Sequence, residues 1–122
     1  MRRWTSLRQR ADFLKLHSTG QKWVTPAFVI QLLAVPDSEV QTASIGFTAT
    51  KKLGNAVIRN RCKRRLRALC DEVIPFYNTT GIQLVIIARS DTLTRDFTLL
   101  AKDLNWALRK LNVSKLNHQQ AA

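Results

Sequence analysis

The sequence predicts a single α+β domain, an α-β-β-α-β-α sandwich in which helices pack against one sheet. Three observations carry this. A chain of 122 residues builds one hydrophobic core and is too short for two. Residues 23–35 and 44–50 alternate apolar and polar side chains, or are apolar on both sides, as strands do. Ile58, Cys62, Leu66, Leu69 and Val73, and later Phe97, Leu100, Ala101, Leu104, Ala107, Leu108 and Leu111, recur at helical spacing.

The elements follow in order. Ser6-Leu7-Arg8-Gln9 has the Ser-x-x-Gln form of a capping box, so a short first helix is expected from there, ending near Gly20. Residues 23–35 are expected to be extended, with Phe28, Ile30 and Leu32 on one side and Val29, Gln31 and Leu33 on the other. Pro36-Asp37-Ser38 reads as a turn. A half-buried strand follows, with Ile45, Phe47 and Ala49 inward, and the short connection predicts that these two strands pair antiparallel. Lys51-Lys52-Leu53-Gly54 breaks the pattern, and a helix runs from Asn55 until Pro75 stops it. Residues 81–89 form an apolar run with the length of a buried strand, and the final helix closes the fold. The expected domain is 1–122, with an ordered core at about 5–111 and a polar tail, 112–122, that frays.

Composition narrows the function. Twenty Lys and Arg against eight Asp and Glu give a net charge of +12, self-repulsion that a polyanionic partner relieves. Residues 1–70 hold 14 cations and 3 anions, whereas residues 71–122 hold 6 and 5, so the first part of the chain is expected to face that partner. No apolar stretch approaches the ~20 residues of a membrane span, and no apolar signal core follows Met1. Cys62 and Cys70, eight residues apart on one helix, would be ~12 Å apart, beyond disulfide reach. These features suit a protein of the reducing cytoplasm.

The chemistry is concentrated in residues 51–67. Six cations, Arg59, Arg61, Lys63, Arg64, Arg65 and Arg67, fall within nine residues. The apolar stripe faces the sheet, so these six are expected to fan over the remaining surface. Like charges at i,i+4 disfavour a helix, and no acidic residue lies within four positions of Arg59, Arg61, Lys63, Arg64 or Arg65. Solubilising helices mix signs to form ion pairs. This one is built for an external phosphate backbone. No helix-turn-helix or zinc-ligand spacing points to DNA, whereas Phe13 and a half-exposed strand face suit single-stranded RNA.

No catalytic constellation is visible. His17, His118, Cys62 and Cys70 lack metal-ligand spacing, and adjacent Asp71 and Glu72 diverge by about 100° on a helix and are expected to face solvent. Trp4, Trp23 and Trp106 are expected to be packing residues. The residues alone leave open a non-catalytic RNA-binding protein of ribosomes or their assembly, and a self-sufficient metal nuclease, which the scarcity of clustered carboxylates disfavours.

The run Lys51-Lys52-Leu53-Gly54-Asn55-Ala56-Val57-Ile58-Arg59-Asn60-Arg61-Cys62-Lys63-Arg64 closely resembles the signature of the bacterial ribonuclease P protein component family, centred on Arg59-Asn60-Arg61. Asp12-Phe13, Gly20 and Phe28 stand where that family has them. Ile45-Gly46-Phe47-Thr48-Ala49-Thr50 fits the strand entering the signature, and Ile86-Ile87-Ala88-Arg89 resembles its third strand.

The resemblance implies a subunit of an endonuclease whose catalyst is RNA. The protein would help a catalytic RNA and its Mg²⁺ ions remove the 5′ leader from precursor tRNA, as a heterodimer of one protein and one RNA. It implies RNA contacts through Lys51, Lys52, Asn55, Arg59, Asn60, Arg61, Lys63, Arg64 and Arg67, and a leader-binding cleft with Phe13, His17, Phe28, Gln31 and Thr50. It assigns the protein no catalytic group and no metal of its own. It also implies a left-handed β-α-β crossover, against the strong right-handed default. Departures from the family pattern are His17 and Gln31, where aromatics are common, and Ser44, where Arg is frequent.

Overall fold

A computed structural model describes residues 4–7, 9–35 and 42–116. The chain runs β1 (Trp4–Ser6), α1 (Arg10–Thr19), β2 (Gln21–Val24), β3 (Phe28–Ala34), β4 (Ala43–Thr48), a 3-10 turn (Lys51–Leu53), α2 (Ala56–Val73), a second 3-10 turn (Ile74–Phe76), β5 (Ile82–Ala88), α3 (Asp91–Thr94) and α4 (Phe97–Lys110). The α+β sandwich is as expected, with three further elements: β1, β2 as a separate strand, and α3. The turn expected at Pro36-Asp37-Ser38 lies outside the described residues.

The five strands are ordered β1-β4-β5-β3-β2. The expected antiparallel pairing of β3 with β4 is therefore wrong: β5 lies between them, antiparallel to β3 and parallel to β4. Ile82–Ala88 is apolar on both faces, as Phe28–Ala34 is, and so can sit at the centre with both faces and both edges covered. The pairing expectation fails because β4 is followed by a helical crossover that brings β5 in beside it. The hairpin lies earlier in the chain, between β2 and β3, where Thr25 accepts the Phe28 N–H on Oγ1 at 3.0 Å.

The first helix also starts later than the capping box predicts. Ser6 belongs to β1, and Leu7 donates its N–H to Ile45 O at 2.9 Å, prolonging that strand. Gln9 occupies the cap position without a side-chain bond. The Trp4 ring explains this: it is buried in the core and edge-on to Phe47, at 5.5 Å between centroids, which holds residues 4–6 extended along β4.

The sheet has two differently covered faces. Phe28, Ile30, Leu32, Ile45, Leu84 and Ile86 form the main core beneath α2 and α4. On the other face Val85 is buried with Leu16 of α1, and Phe13, Leu33 and Ile87 pack beside them.

The β4-α2-β5 connection is left-handed, and chirality shows it. Arg89 donates to Ala27 O, so by alternation odd-numbered residues of β5 turn their amides toward β3 and even-numbered ones toward β4. Leu84, Ile86 and Ala88 face α2. For L-residues, viewed from α2 with both strands running upward, this places β5 to the left of β4; a right-handed connection would place it to the right.

The chain end corrects the expected boundary. Asn112 takes a left-handed φ of 64° after α4, and Val113 donates back to Leu108 O at 2.9 Å. Val113 is then buried, and Leu116 donates to Phe76 O, so residues 112–116 dock rather than fray.

Candidate nucleic-acid interface

The basic helix is set in place by its ends and by its stripe. Gly54, at φ 145°, turns the chain into α2, and Asn55 Oδ1 accepts the Ile58 N–H at 3.0 Å. That cap satisfies one of the orphan donors of the first turn. Of the predicted stripe Cys62, Leu66, Leu69 and Val73 are buried against the sheet and Ile58 is half-buried, while Cys70, outside the stripe, is buried with them. The cations are thereby turned outward. Lys51 and Lys52 stand exposed on the 3-10 turn, and Asn60, Arg61, Arg64 and Arg67 are exposed along α2. Arg59 and Lys63 are half-buried. The Arg67 guanidinium lies 5.6 Å from the Phe47 ring centroid.

Among the described residues the ion pair found is Arg95 with Asp103, at 2.7 Å, and no described carboxylate neutralises Arg59, Arg61, Lys63, Arg64 or Arg67. Arg59 Nε is buried without an acceptor. The expectation that all six helix cations fan outward fails at Arg65. Its Nη1 donates to Thr92 O at 2.7 Å and Leu93 O at 3.0 Å, carbonyls left over at the end of α3. Thr92 in turn gives its hydroxyl to Ala27 O, so Arg65 joins α2 to the β2-β3 hairpin. Nothing in the basic run distinguishes this arginine from its neighbours, because its partners lie 27 and 28 residues away.

The cleft residues are brought together only in part. Phe13 lies half-buried on the α1 face, over Gly46. The register sets Gly46, Val85, Gln31 and Lys22 in one row across that face, and Thr48, Ile87, Val29 and Val24 in the next. The second row is the more open one; Val24 is 53% exposed. His17 and Thr50 are exposed, whereas Gln31 is buried at 6%. Phe28 must be removed from the cleft. It is fully buried on the opposite face, because its position in β3 is even where Val29, Gln31 and Leu33 are odd. The residues that do share an open row on the α1 face are Val24, Val29, Thr48 and Ile87, which alternation along β3 and β5 could have found once the strand order was known.

Cys62 and Cys70 are free buried thiols. Burial pushes the Cys62 thiol above the ordinary 9.0, against the opposing charge of Arg65. Asp71 and Glu72 are exposed, and Asp71 accepts the Trp4 indole N–H at 2.9 Å. Trp4 and Trp23 pack as expected, but Trp106 is 52% exposed because it falls opposite the buried stripe of α4. Among the described residues no three His, Cys, Asp or Glu cluster as a metal site, and no helix is long and apolar enough to cross a membrane. His118 lies outside the described residues.

The family model for ribonuclease P matches residues 1–112. The chain belongs to the ribonuclease P protein component family. The ribonuclease P protein component of Gluconacetobacter diazotrophicus is 47% identical over 107 residues, covering 88% of this chain and 90% of that one. That of Paramagnetospirillum magneticum is 37% identical over 118 residues, covering 95% and 89%. The RNase P protein structures of Thermotoga maritima and Staphylococcus aureus superpose with TM-scores of 0.70 and 0.69. They are 24% and 23% identical, cover 86% and 89% of this chain, and span 96% of their own lengths. These two carry the fold; the closer sequence relatives carry the family. The chain is thus a subunit of ribonuclease P, the tRNA 5′-processing endoribonuclease, and associates with its RNA and with precursor tRNA.

Proposed function

We propose that α2 and the lysine pair before it bind the catalytic RNA, while the open row of the α1 face holds the 5′ leader of precursor tRNA. The observation that carries this is the α2 surface: Arg61, Arg64 and Arg67 are exposed, and no described carboxylate neutralises them. Phosphates relieve that repulsion, and guanidinium groups grip them bidentately. Lys51, Lys52, Arg59, Asn60 and Lys63 extend the surface, and a phosphate oxygen is a fitting acceptor for the orphaned Arg59 Nε. Asn55 contributes as the helix cap that aims the first turn. Phe13 offers a ring edge to a leader base, beside Ile87, Val29 and Val24, with His17 and Thr50 exposed nearby.

In this reading the particle holds one protein and one RNA, works in the cytoplasm, and takes its Mg²⁺ on the RNA. The protein neutralises charge and positions substrate. Single-turnover cleavage of precursor tRNA by the catalytic RNA, with and without protein, tests it across Mg²⁺ concentrations. The protein's gain is expected to be large at low Mg²⁺ and to shrink as the ion is raised, because ions screen the same repulsion. A gain independent of Mg²⁺ and abolished by Glu72→Ala, with binding intact, would overturn this reading.

A further inference from the structure

Between α2, α3 and the start of α4 lies a groove of about 450 Å³ lined by Arg61, Arg64, Arg65, Ala68, Leu93 and Phe97. Its floor is apolar. Leu93 and Phe97 are half-buried outliers of the core, and Ala68 offers only a methyl from an exposed helix position. Its width is set by the protein, since the Arg65 bonds to Thr92 O and Leu93 O tie one wall to the other. On the α2 wall Arg61 and Arg64 are exposed, three residues apart and hence on one side of the helix, with no described carboxylate paired to either.

An apolar floor beneath two uncompensated guanidinium groups is a mixed chemistry. A phosphate alone would use the rim and leave the floor wet. An apolar peptide would cover the floor and leave two cations unpaired. A nucleotide uses both, its base stacking on an aromatic and its phosphates accepting from arginine. The volume lies at the small end of ligand pockets, suited to one base rather than a run of them.

We propose that this groove receives one unstacked nucleobase of the ribonuclease P RNA, seated on Phe97 and Leu93, with its flanking phosphates on Arg61 and Arg64. The proposal rests on the assignment of α2 to RNA contact and adds a base-dependent contribution to it.

The test fills the groove without removing a cation. Ala68→Trp, in the full chain, is titrated against the catalytic RNA over a range of salt. Affinity is expected to fall about tenfold, as for loss of one base–aromatic stack, with salt slope and melting temperature unchanged. The RNA is then scanned with single abasic nucleotides through the segment that α2 protects. At one position base removal weakens the unsubstituted protein about tenfold, and the Ala68→Trp protein hardly at all. Phe97→Leu, which keeps an apolar side chain and removes the ring, is expected to lose affinity at that same position. Unchanged affinity of Ala68→Trp overturns the proposal, as does a loss that no abasic position absorbs. Failure of the underlying assignment looks different: Arg61→Ala and Arg64→Ala would then leave both affinity and salt slope untouched.

Discussion

The Phe13 ring occupies the space that a side chain at Gly46 would fill: a Cβ built on Gly46 stands 2.4 Å from Phe13 Cζ. The glycine is needed here for close approach, not for its backbone angle. It lets the tip of an aromatic ring from α1 reach the β4 backbone and border the open row of strand residues.

Gly46→Ala is therefore expected to push the ring aside, lowering stability by about 1–3 kcal/mol, the usual range for overpacking. It should also weaken leader-bearing precursor tRNA more than mature tRNA. In a Phe13→Ala background the same change should cost almost nothing. Urea titrations of the four proteins measure the coupling; equal costs in both backgrounds would show that the ring and the glycine act independently.

Arg64→Ala should leave the melting temperature unchanged, because the side chain is exposed and makes no described bond. Its signature is in binding. The slope of log K against log salt for the catalytic RNA should become shallower by roughly 0.7–0.9, one phosphate contact. Filter binding at several salt concentrations reads this directly.

Arg65→Met should behave in the opposite way. Two carbonyls lose a charged donor, and the α2–α3 tie is cut. The expected loss is about 1.5–3 kcal/mol of stability, as for hydrogen bonds to charged groups, with the salt slope retained. Thermal melts and binding of the two variants, run side by side, separate the structural arginine from its RNA-facing neighbour.

The Cys62 thiol provides a pH signature. Burial raises its pKa, and the charge of Arg65 only partly offsets this. A raised thiol pKa means the folded state prefers the neutral form. That contribution is complete below the unfolded value and is lost as pH rises through the folded one. Urea midpoints are expected to fall above about pH 9, and less so in Cys62→Val. Tyr77, raised above 10.0 by burial, adds a loss of the same sign at higher pH that both proteins share. Ellman's reagent should react slowly with the native chain and rapidly after unfolding.

Where local pattern determined the outcome, the residues could be read directly. The α2 stripe, the α4 stripe and the strand character of residues 28–34 and 82–88 all follow from periodicity, and the outward cations follow from the stripe. Where a distant partner decided, they could not. Ser6 could cap a helix or pair with β4, and burial of the Trp4 ring chose the strand. Phe28 matched a family position, but its face depended on which side of the sheet α1 would cover. Arg65 is one cation among six until α3 presents its carbonyls. The docking of Val113 was signalled by Asn112, a residue suited to a left-handed helix end.

Because β5 joins β4 to β3, the two halves of the sheet stay separate until residues 82–88 have been synthesised. Up to that point a nascent chain can hold only two ribbons, β1 with β4 and β2 with β3, each marginal in water. The arginines of α2 emerge from the ribosome before β5 does. At about 5–20 residues per second they wait roughly one to a few seconds for the strand that completes the surface beneath them. The stripe that turns those charges outward, Cys62, Leu66, Leu69 and Val73, thus gains its complete seat only when β5 arrives.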